Sequence, residues 1–358
     1  MAESGLRRSI RNRVNGKLFR GFESHPFRHS YMKQIDMHVH MVGNAASGHG
    51  CWVRVTAFKG PLYGLMLRKL NLKFQSLRQS SFDDQFRDRL LNSIRSSDID
   101  AVCLLAQEAV YHDDGTLWEE AGNAFVPNEY VLELARNHEE FIPAVSIHPA
   151  RPDAIEELDR CLEQGAAMMK CLPNCQNINC NESKFKPFWN RMAEAGLPLL
   201  AHTGGEHTLQ VVNPDYANPE TLRLPLECGV NVIAAHAATG SGPFDPDYVP
   251  ALIKMMQNFR NLYADTSALN VPTRCYGLRP CLNDELLATR TVHGSDYPVP
   301  TSATWAWARG HIDSDQWASL KNIQNPIELD YQTKVAMGFP ASHFTRINSL
   351  LRIVKGSP

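Results

Sequence analysis

The chain lacks any uninterrupted apolar run approaching the 18 or so residues of a membrane-spanning helix, which argues against a helical membrane protein. It lacks a dominant charge as well. Thirty-six basic residues against 38 acidic ones leave −2 at pH 7, so bulk electrostatics offers no attraction to nucleic acid or to an anionic membrane. No repeat or low-complexity stretch divides it. Cysteine is sparse and odd in number: nine in 358 residues, scattered from Cys51 to Cys281. A chain of this length needs no disulfide staples, so these read as reduced thiols of a cytoplasmic protein. Cys171, Cys175 and Cys180 share one loop, but C-x3-C-x4-C is not a zinc-ribbon spacing, and a structural role is expected.

What is present is an ordinary globular composition, 43% apolar and 21% charged. The charge is unevenly spread. Residues 1–31 carry Arg7, Arg8, Arg11, Arg13, Lys17, Arg20 and Arg28 against Glu3 and Glu23, a net of +5 that leaves −7 for the rest. This segment has no apolar core of a secretory signal. Gly21-Phe22-Glu23-Ser24 is what a common tRNA T-arm sequence would encode, so Met32 is the expected start and residues 1–31 a non-native or disordered extension. Residues 32–358 are expected to form one domain.

From Lys33 onward, apolar runs alternate with amphipathic segments. The runs are Ile35–Val42, Ala101–Ala106, Phe141–Ile147, Ala166–Leu172, Leu197–His202, Val230–His236, Asn261–Thr266 and Arg290–Asp296. Helical patterns lie between them at Phe82–Ser97, Asn128–Glu139, Pro152–Gln164, Ser183–Ala195, Pro219–Cys228 and Tyr248–Gln257. Continuously apolar strands separated by helices indicate a parallel sheet buried on both faces. Eight of them over roughly 260 residues suit a (β/α)8 TIM barrel. A doubly wound open sheet is the alternative. Two segments exceed the minimal barrel: a long insertion after strand one, Gly43–Ser81 with Trp52, Phe58, Tyr63 and Phe74, and a C-terminal helical extension, Asp313–Val354. The insertion reads as a loop or lid over the barrel mouth. The extension reads as helices at Gln316–Asn322, Pro326–Met337 and Pro340–Leu351.

The strongest chemical signal is Ile35-Asp36-Met37-His38-Val39-His40-Met41. Residues two apart share a strand face, so His38 and His40 point together and Met37, Val39 and Met41 point away. Two adjacent imidazoles can hold one metal. Other ionisable residues end strands in the same way: Lys170 the fourth, His202 the fifth, His236 the sixth and Asp296 the eighth. That is the barrel face on which active sites are built. One such residue is an ordinary strand end; five strands showing the same placement are not.

Taken together, His38-x-His40, Lys170, His202, His236 and Asp296 resemble the amidohydrolase superfamily. Gly-Leu-Pro-Leu-Leu-Ala-His-Thr-Gly, Asn-Leu-Tyr-Ala-Asp-Thr-Ser and His-Gly-Ser-Asp-Tyr-Pro are similar to its amidohydrolase-related branch, over roughly residues 35–300. The resemblance implies a divalent metal, zinc above all, on His38, His40 and Asp296. Metal-activated water would then attack the carbonyl of a small amide, lactone or ester. Asp296 would accept the water's proton and deliver it to the leaving group. His202 would complete the first site or hold a second ion. His236 would be a second-metal ligand, or in a mononuclear site would orient water and polarise the carbonyl. Lys170 decides the count, because an ammonium beside a dication is unfavourable. Carbamylated, it would bridge two ions; otherwise the site holds one.

Lower weight falls on Asp265, expected behind a ligand histidine, and on Glu206 and His207, read as a solvated loop pair within reach of substrate. His148 reads as a wall or turn residue, Tyr297 as a pocket residue, and Arg274 and Arg279 as surface arginines near the mouth. Two rivals remain. Metal-dependent decarboxylases of aromatic or unsaturated acids resemble this pattern too, but their sixth-strand motif reads His-x-Gly-Glu, where this chain has His236-Ala-Ala-Thr-Gly. A non-catalytic metal-binding barrel would keep the ligands without turnover. The expected partner is a small molecule; dimers are frequent in the branch, so a homodimer is the oligomer the resemblance implies.

Overall fold

Eight apolar runs become eight parallel strands because each is buried on both faces. The computed structural model describes residues 32–56 and 59–352. The expected extension over residues 1–31, Phe58 and the end of the tail at Val354 lie outside the described residues. Strands β1 (Ile35–His40), β2 (Ala101–Leu105), β3 (Phe141–Val145), β4 (Met168–Cys171), β5 (Leu199–Ala201), β6 (Val232–Ala234), β7 (Leu262–Asp265) and β8 (Thr291–Val292) pair in chain order. Strand β8 is only two residues long, and closure continues past it. Met37 N–H donates to the His293 carbonyl (3.0 Å), Asp296 N–H to the His38 carbonyl (2.9 Å) and His40 N–H to the Tyr297 carbonyl (2.8 Å). The fold is a TIM barrel.

One strand face fills the barrel: Ala101, Cys103, Leu105, Met168, Leu200, Ile233 and Val292 pack together. The other face meets the outer helices, as Val102 and Leu104 do with Phe86 and Leu90 of the Phe82–Arg95 helix. The segment expected to be helical from Ser183 starts as a 3-10 turn (Ser183–Phe185) and becomes an α-helix at Lys186–Glu194. Pro187 sits in its first turn, where no backbone N–H is needed.

In β1 the simple two-residue alternation fails. Ile35 and Asp36 face Ala101 and Val102, but Val39 faces Leu104, so Met37 and His38 share the single partner position of Cys103. This bulge lets Met37 pack inside the barrel with Ile35 while Val39 and Met41 pack outside. The strict alternation places Met37 with Val39; the extra residue moves it to the other face without turning His38 away.

The insertion after β1 is not a plain loop. Trp52–Val53 pairs antiparallel with Ala124–Phe125, from the excursion after β2, and Gly60–Lys69 is a helix. The tail forms helices at Ser314–Leu320, Pro326–Ala336 and Ala341–Thr345 and a 3-10 turn at Arg346–Ser349. Ile347 and Leu350 join the interior cluster. The Asn348 amide donates to the Lys33 carbonyl (2.8 Å), and Arg352 N–H to that of Ala167 (3.0 Å). Both carbonyls precede strands, so the tail plugs the end of the barrel opposite the site. Ile347→Ala is expected to cost about 2–5 kcal/mol in urea denaturation, the range for emptying a buried aliphatic site. A loss under about 0.5 kcal/mol would show that the plug contributes nothing.

Candidate metal centre and active site

His38 and His40 leave β1 toward the barrel mouth. Asp296 meets them from the turn after β8, where its φ of +67° is held by the Asp296 N–H bond to the His38 carbonyl. Gly294 permits this approach, since a Cβ there would lie 2.8 Å from the His38 Cβ. The result is a triangle. His38 Nε2 to His40 Nε2, His38 Nε2 to Asp296 Oδ1, and His40 Nε2 to Asp296 Oδ1 are each 3.2 Å. Ligands ~2.0–2.1 Å from a tetrahedral zinc stand roughly 3.3 Å apart, so this edge length suits one such ion.

Asp265, at the end of β7, backs the triangle. Its Oδ2 accepts from His38 Nδ1 (2.7 Å), and its Oδ1 accepts from the backbone N–H groups of His236 (2.7 Å) and Ser267 (2.9 Å) and from the Ser267 hydroxyl. A carboxylate on Nδ1 puts the His38 proton there and leaves the Nε2 lone pair facing the triangle. Burial pushes the Asp265 carboxyl up, but the charge and hydrogen bond of His38, with His236 and Ser267, override it and hold the group well below the carboxylate range. Burial likewise opposes Asp296, and His38, His40 and Lys170 hold it below its ordinary value. His38 is lowered to about 4, by burial first and then by the Lys170 charge. A neutral His38 imidazole beside ionised carboxylates belongs to the donor set a divalent cation requires.

His202 and His236 form the adjoining wall. His236 Nδ1 contacts the Ser267 carbonyl (3.1 Å), which can only accept, so the His236 proton is on Nδ1 and its Nε2 carries a lone pair. His202 Nδ1 lies 3.2 Å from that Nε2 and donates to it, leaving His202 Nε2 buried with no hydrogen-bond partner. Burial holds both well below the usual histidine value. His236, Ala237 and Ala238 all have positive φ, from +47° to +58°, a strained turn that Asp265 secures through the His236 N–H. Lys170 is not turned away: its Nζ lies 3.1 Å from His38 Nε2, and burial lowers its pKa. An ammonium there competes with a cation for one lone pair and repels it, and a neutral amine removes the repulsion.

All six candidates thus lie in one run of contacts: His38, His40 and Asp296 in the triangle, Lys170 on His38, and His236 with His202 beside it (His38 and His236 ring centroids 5.2 Å apart). A second grouping of potential ligands, His38, His236 and Asp265, overlaps the first through His38. The buried His/Asp cluster therefore fits a divalent metal site.

Of the other residues, Tyr297, Arg274 and Glu206 fall elsewhere than their sequence positions suggest, and His148 and His207 do not. Tyr297 does not line the pocket; it is buried against Phe86 with ring centroids 5.8 Å apart. Arg274 is no surface arginine: it is buried and donates to the carbonyls of Thr239 (2.8 Å) and Gly205. His148 is a turn residue, accepting from Ala150 N–H (3.1 Å) and donating to the Gln176 carbonyl (2.8 Å). His207 is exposed against Asp245, whereas Glu206 points into the pocket, a difference that adjacent loop positions do not signal.

The chain belongs to the amidohydrolase family, whose sequence model matches residues 35–320. Enzymes of this kind include hydrolases and decarboxylases. A search of curated proteins found no match. Among solved structures, an uncharacterized TIM-barrel protein from Bordetella bronchiseptica is similar at 18% identity and a TM-score of 0.52, over 84% of this chain and 99% of that one. A probable 2-pyrone-4,6-dicarboxylic acid hydrolase from Acinetobacter baumannii is similar at 13% identity and 0.51, over 87% and 99%. The 5-carboxyvanillate decarboxylase from Sphingomonas paucimobilis is similar at 10% and 0.50, over 88% and 99%. At these identities the likeness is one of fold. No described helix is long and apolar enough to cross a membrane.

Proposed function

We propose that the chain, acting as one domain over residues 32–358, is a metal-dependent hydrolase. It would add water to the carbonyl of a small amide, lactone or ester. The observation that carries this reading is the triangle of His38 Nε2, His40 Nε2 and Asp296 Oδ1, each edge 3.2 Å, with the His38 tautomer set by Asp265. His38, His40 and Asp296 would hold the ion, zinc by preference, with a position left for water, and His202 would complete that site or hold a second ion. A divalent ion there supplies Lewis acidity, bringing the pKa of a water toward neutrality and polarising a carbonyl.

The residues supply the rest. Asp296 faces the pocket, takes the proton of the attacking water and returns it to the leaving group, as a carboxylate kept ionised can do. His236 acts through its Nε2 lone pair, as a ligand or acceptor; polarising a carbonyl would require a second proton, which burial opposes. Lys170 either stays a neutral amine against His38 or, carbamylated, supports a second ion. Hydrolysis is preferred over decarboxylation because the sixth-strand turn reads His236-Ala-Ala-Thr-Gly. A non-catalytic barrel would bind the ion on the same residues and turn over no substrate.

Metal content per chain, on protein purified without chelator and with bicarbonate, tests the reading. One equivalent is expected for a site on His38, His40, Asp296 and His202, and two for the carbamylated form. No bound metal after zinc addition overturns it. Carbon dioxide as the product, in place of a cleaved or ring-opened acid, would assign the decarboxylase chemistry.

A further inference from the structure

We propose that this pocket selects a neutral, largely apolar acyl substrate and rejects one that carries a carboxylate remote from the scissile group, with Glu206 as the residue that sets the preference. The inference rests on the hydrolase reading for the bond cleaved, but not for the shape and charge of the cavity.

The cavity above the triangle is partly open to solvent and mostly apolar in its walls, which suits a small apolar ring. Its floor is His40, His202, His236 and Asp296, and its walls include Met41, Trp52, Met66, Val126, Leu172 and Val299. No arginine or lysine is among the described residues that line it. The cations nearby are already engaged. Lys59 donates to the carbonyls of Thr208 (3.1 Å) and Leu209, Arg274 to those of Thr239 and Gly205, and Lys170 lies against His38.

The charge that does reach the wall is negative. Glu206 Oε1 accepts the backbone N–H groups of Thr208 and Leu209 (2.7 Å to the latter), which fixes the side chain at 11% exposure. Its Oε2 lies 3.7 Å from His202 Nε2, beyond hydrogen-bond reach, in the pocket lining. Glu206 thus puts a carboxylate on an apolar wall with no arginine or lysine among the described lining residues, while Asp296 is committed to the ion on the floor. A substrate carboxylate at the wall would lose water and meet like charge; a neutral ring would bury apolar surface, and a hydroxyl or N–H on it would give Glu206 a donor. Lys59 and Arg274 both feel the Glu206 charge, so its removal leaves local positive potential uncompensated.

The test is calorimetric titration of the metal-loaded protein with chroman and with chroman-6-carboxylate, a ring-matched pair with no scissile bond. Chroman is expected to bind at least about tenfold more tightly, the scale of one like-charge contact across a few ångströms of protein. In Glu206→Gln the preference is expected to fall at least threefold, since glutamine keeps the Oε1 acceptor and loses only the charge. Equal or tighter binding of the carboxylate, no measurable binding of chroman, or an unchanged preference in the variant overturns the proposal. Dihydrocoumarin, the matching lactone, separates the two readings. If chroman is preferred but dihydrocoumarin is not hydrolysed, the pocket inference stands and hydrolysis of such lactones falls. If dihydrocoumarin is hydrolysed but its ring-carboxylated analogue is preferred, the hydrolase reading stands and this inference falls.

Discussion

Asp296→Asn is expected to lower kcat by about a hundredfold to ten-thousandfold, the contribution of a positioned acid–base group. The melting temperature should stay within about 3 °C of wild type, because the exchange is isosteric and asparagine tolerates the left-handed backbone that Asp296 adopts at φ +67°. The backbone N–H bond to His38 that closes the barrel is also untouched. What is lost is the proton acceptor and the anionic corner of the triangle, since an amide oxygen is a far weaker base. Steady-state rates on a hydrolysed substrate and a circular-dichroism melt measure both effects. Activity above a tenth of wild type would argue against Asp296 as the proton carrier.

Lys334→Met is expected to destabilise the fold by about 3–5 kcal/mol, the cost of leaving a buried charge without its partner. Lys334 and Asp330 are both fully buried. The ammonium donates to Asp330 Oδ2 (2.5 Å) and to the Gly294 carbonyl (2.8 Å), and Asp330 Oδ1 accepts from the Asn270 amide (2.7 Å) and the Thr301 hydroxyl (3.3 Å). Burial pushes the Asp330 carboxyl up, and Lys334 and the two hydrogen bonds are what oppose this. Without the ammonium, the carboxylate must take up a proton or remain unpaired. The double variant Asp330→Asn with Lys334→Met should recover more than half of the loss, because no uncompensated charge is left. Urea denaturation of the two single variants and the double gives the coupling. A single-variant loss below about 1 kcal/mol would show that the pair does not hold the turn after β8. That turn carries Gly294, packed on His38, so the cost falls on the element that presents Asp296.

The positions of the strands were legible because a barrel strand is apolar on both sides, so each stands out as a continuous run. The strands are shorter than the runs, Thr291–Val292 against Arg290–Asp296 most of all, because the run continues into the turn that carries the site residue. The helix Gly60–Lys69 escaped notice. Gly60, Pro61 and Gly64 mask it, and only Tyr63, Met66 and Leu67 of its ten residues are buried. The ribbon of Trp52–Val53 with Ala124–Phe125 joins segments far apart in sequence, and two-residue strands show no period. Arg274 and Arg279 look alike in the sequence; one is buried among carbonyls and the other is exposed, a difference made by the loop they share.

The sequence by itself determined the alternation of strand and helix, and the placement of His38, His40, Lys170, His202, His236 and Asp296 at strand ends. Both follow from local rules: which residues tolerate burial, and where a strand must stop. Tertiary structure alone decided the 3.2 Å triangle, the tautomers of His38 and His236, the bulge at Met37–His38 and the inward turn of Glu206. Each depends on groups brought together from separate strands, Asp265 on His38 across 227 positions among them, and a distance set by barrel closure has no trace in local sequence.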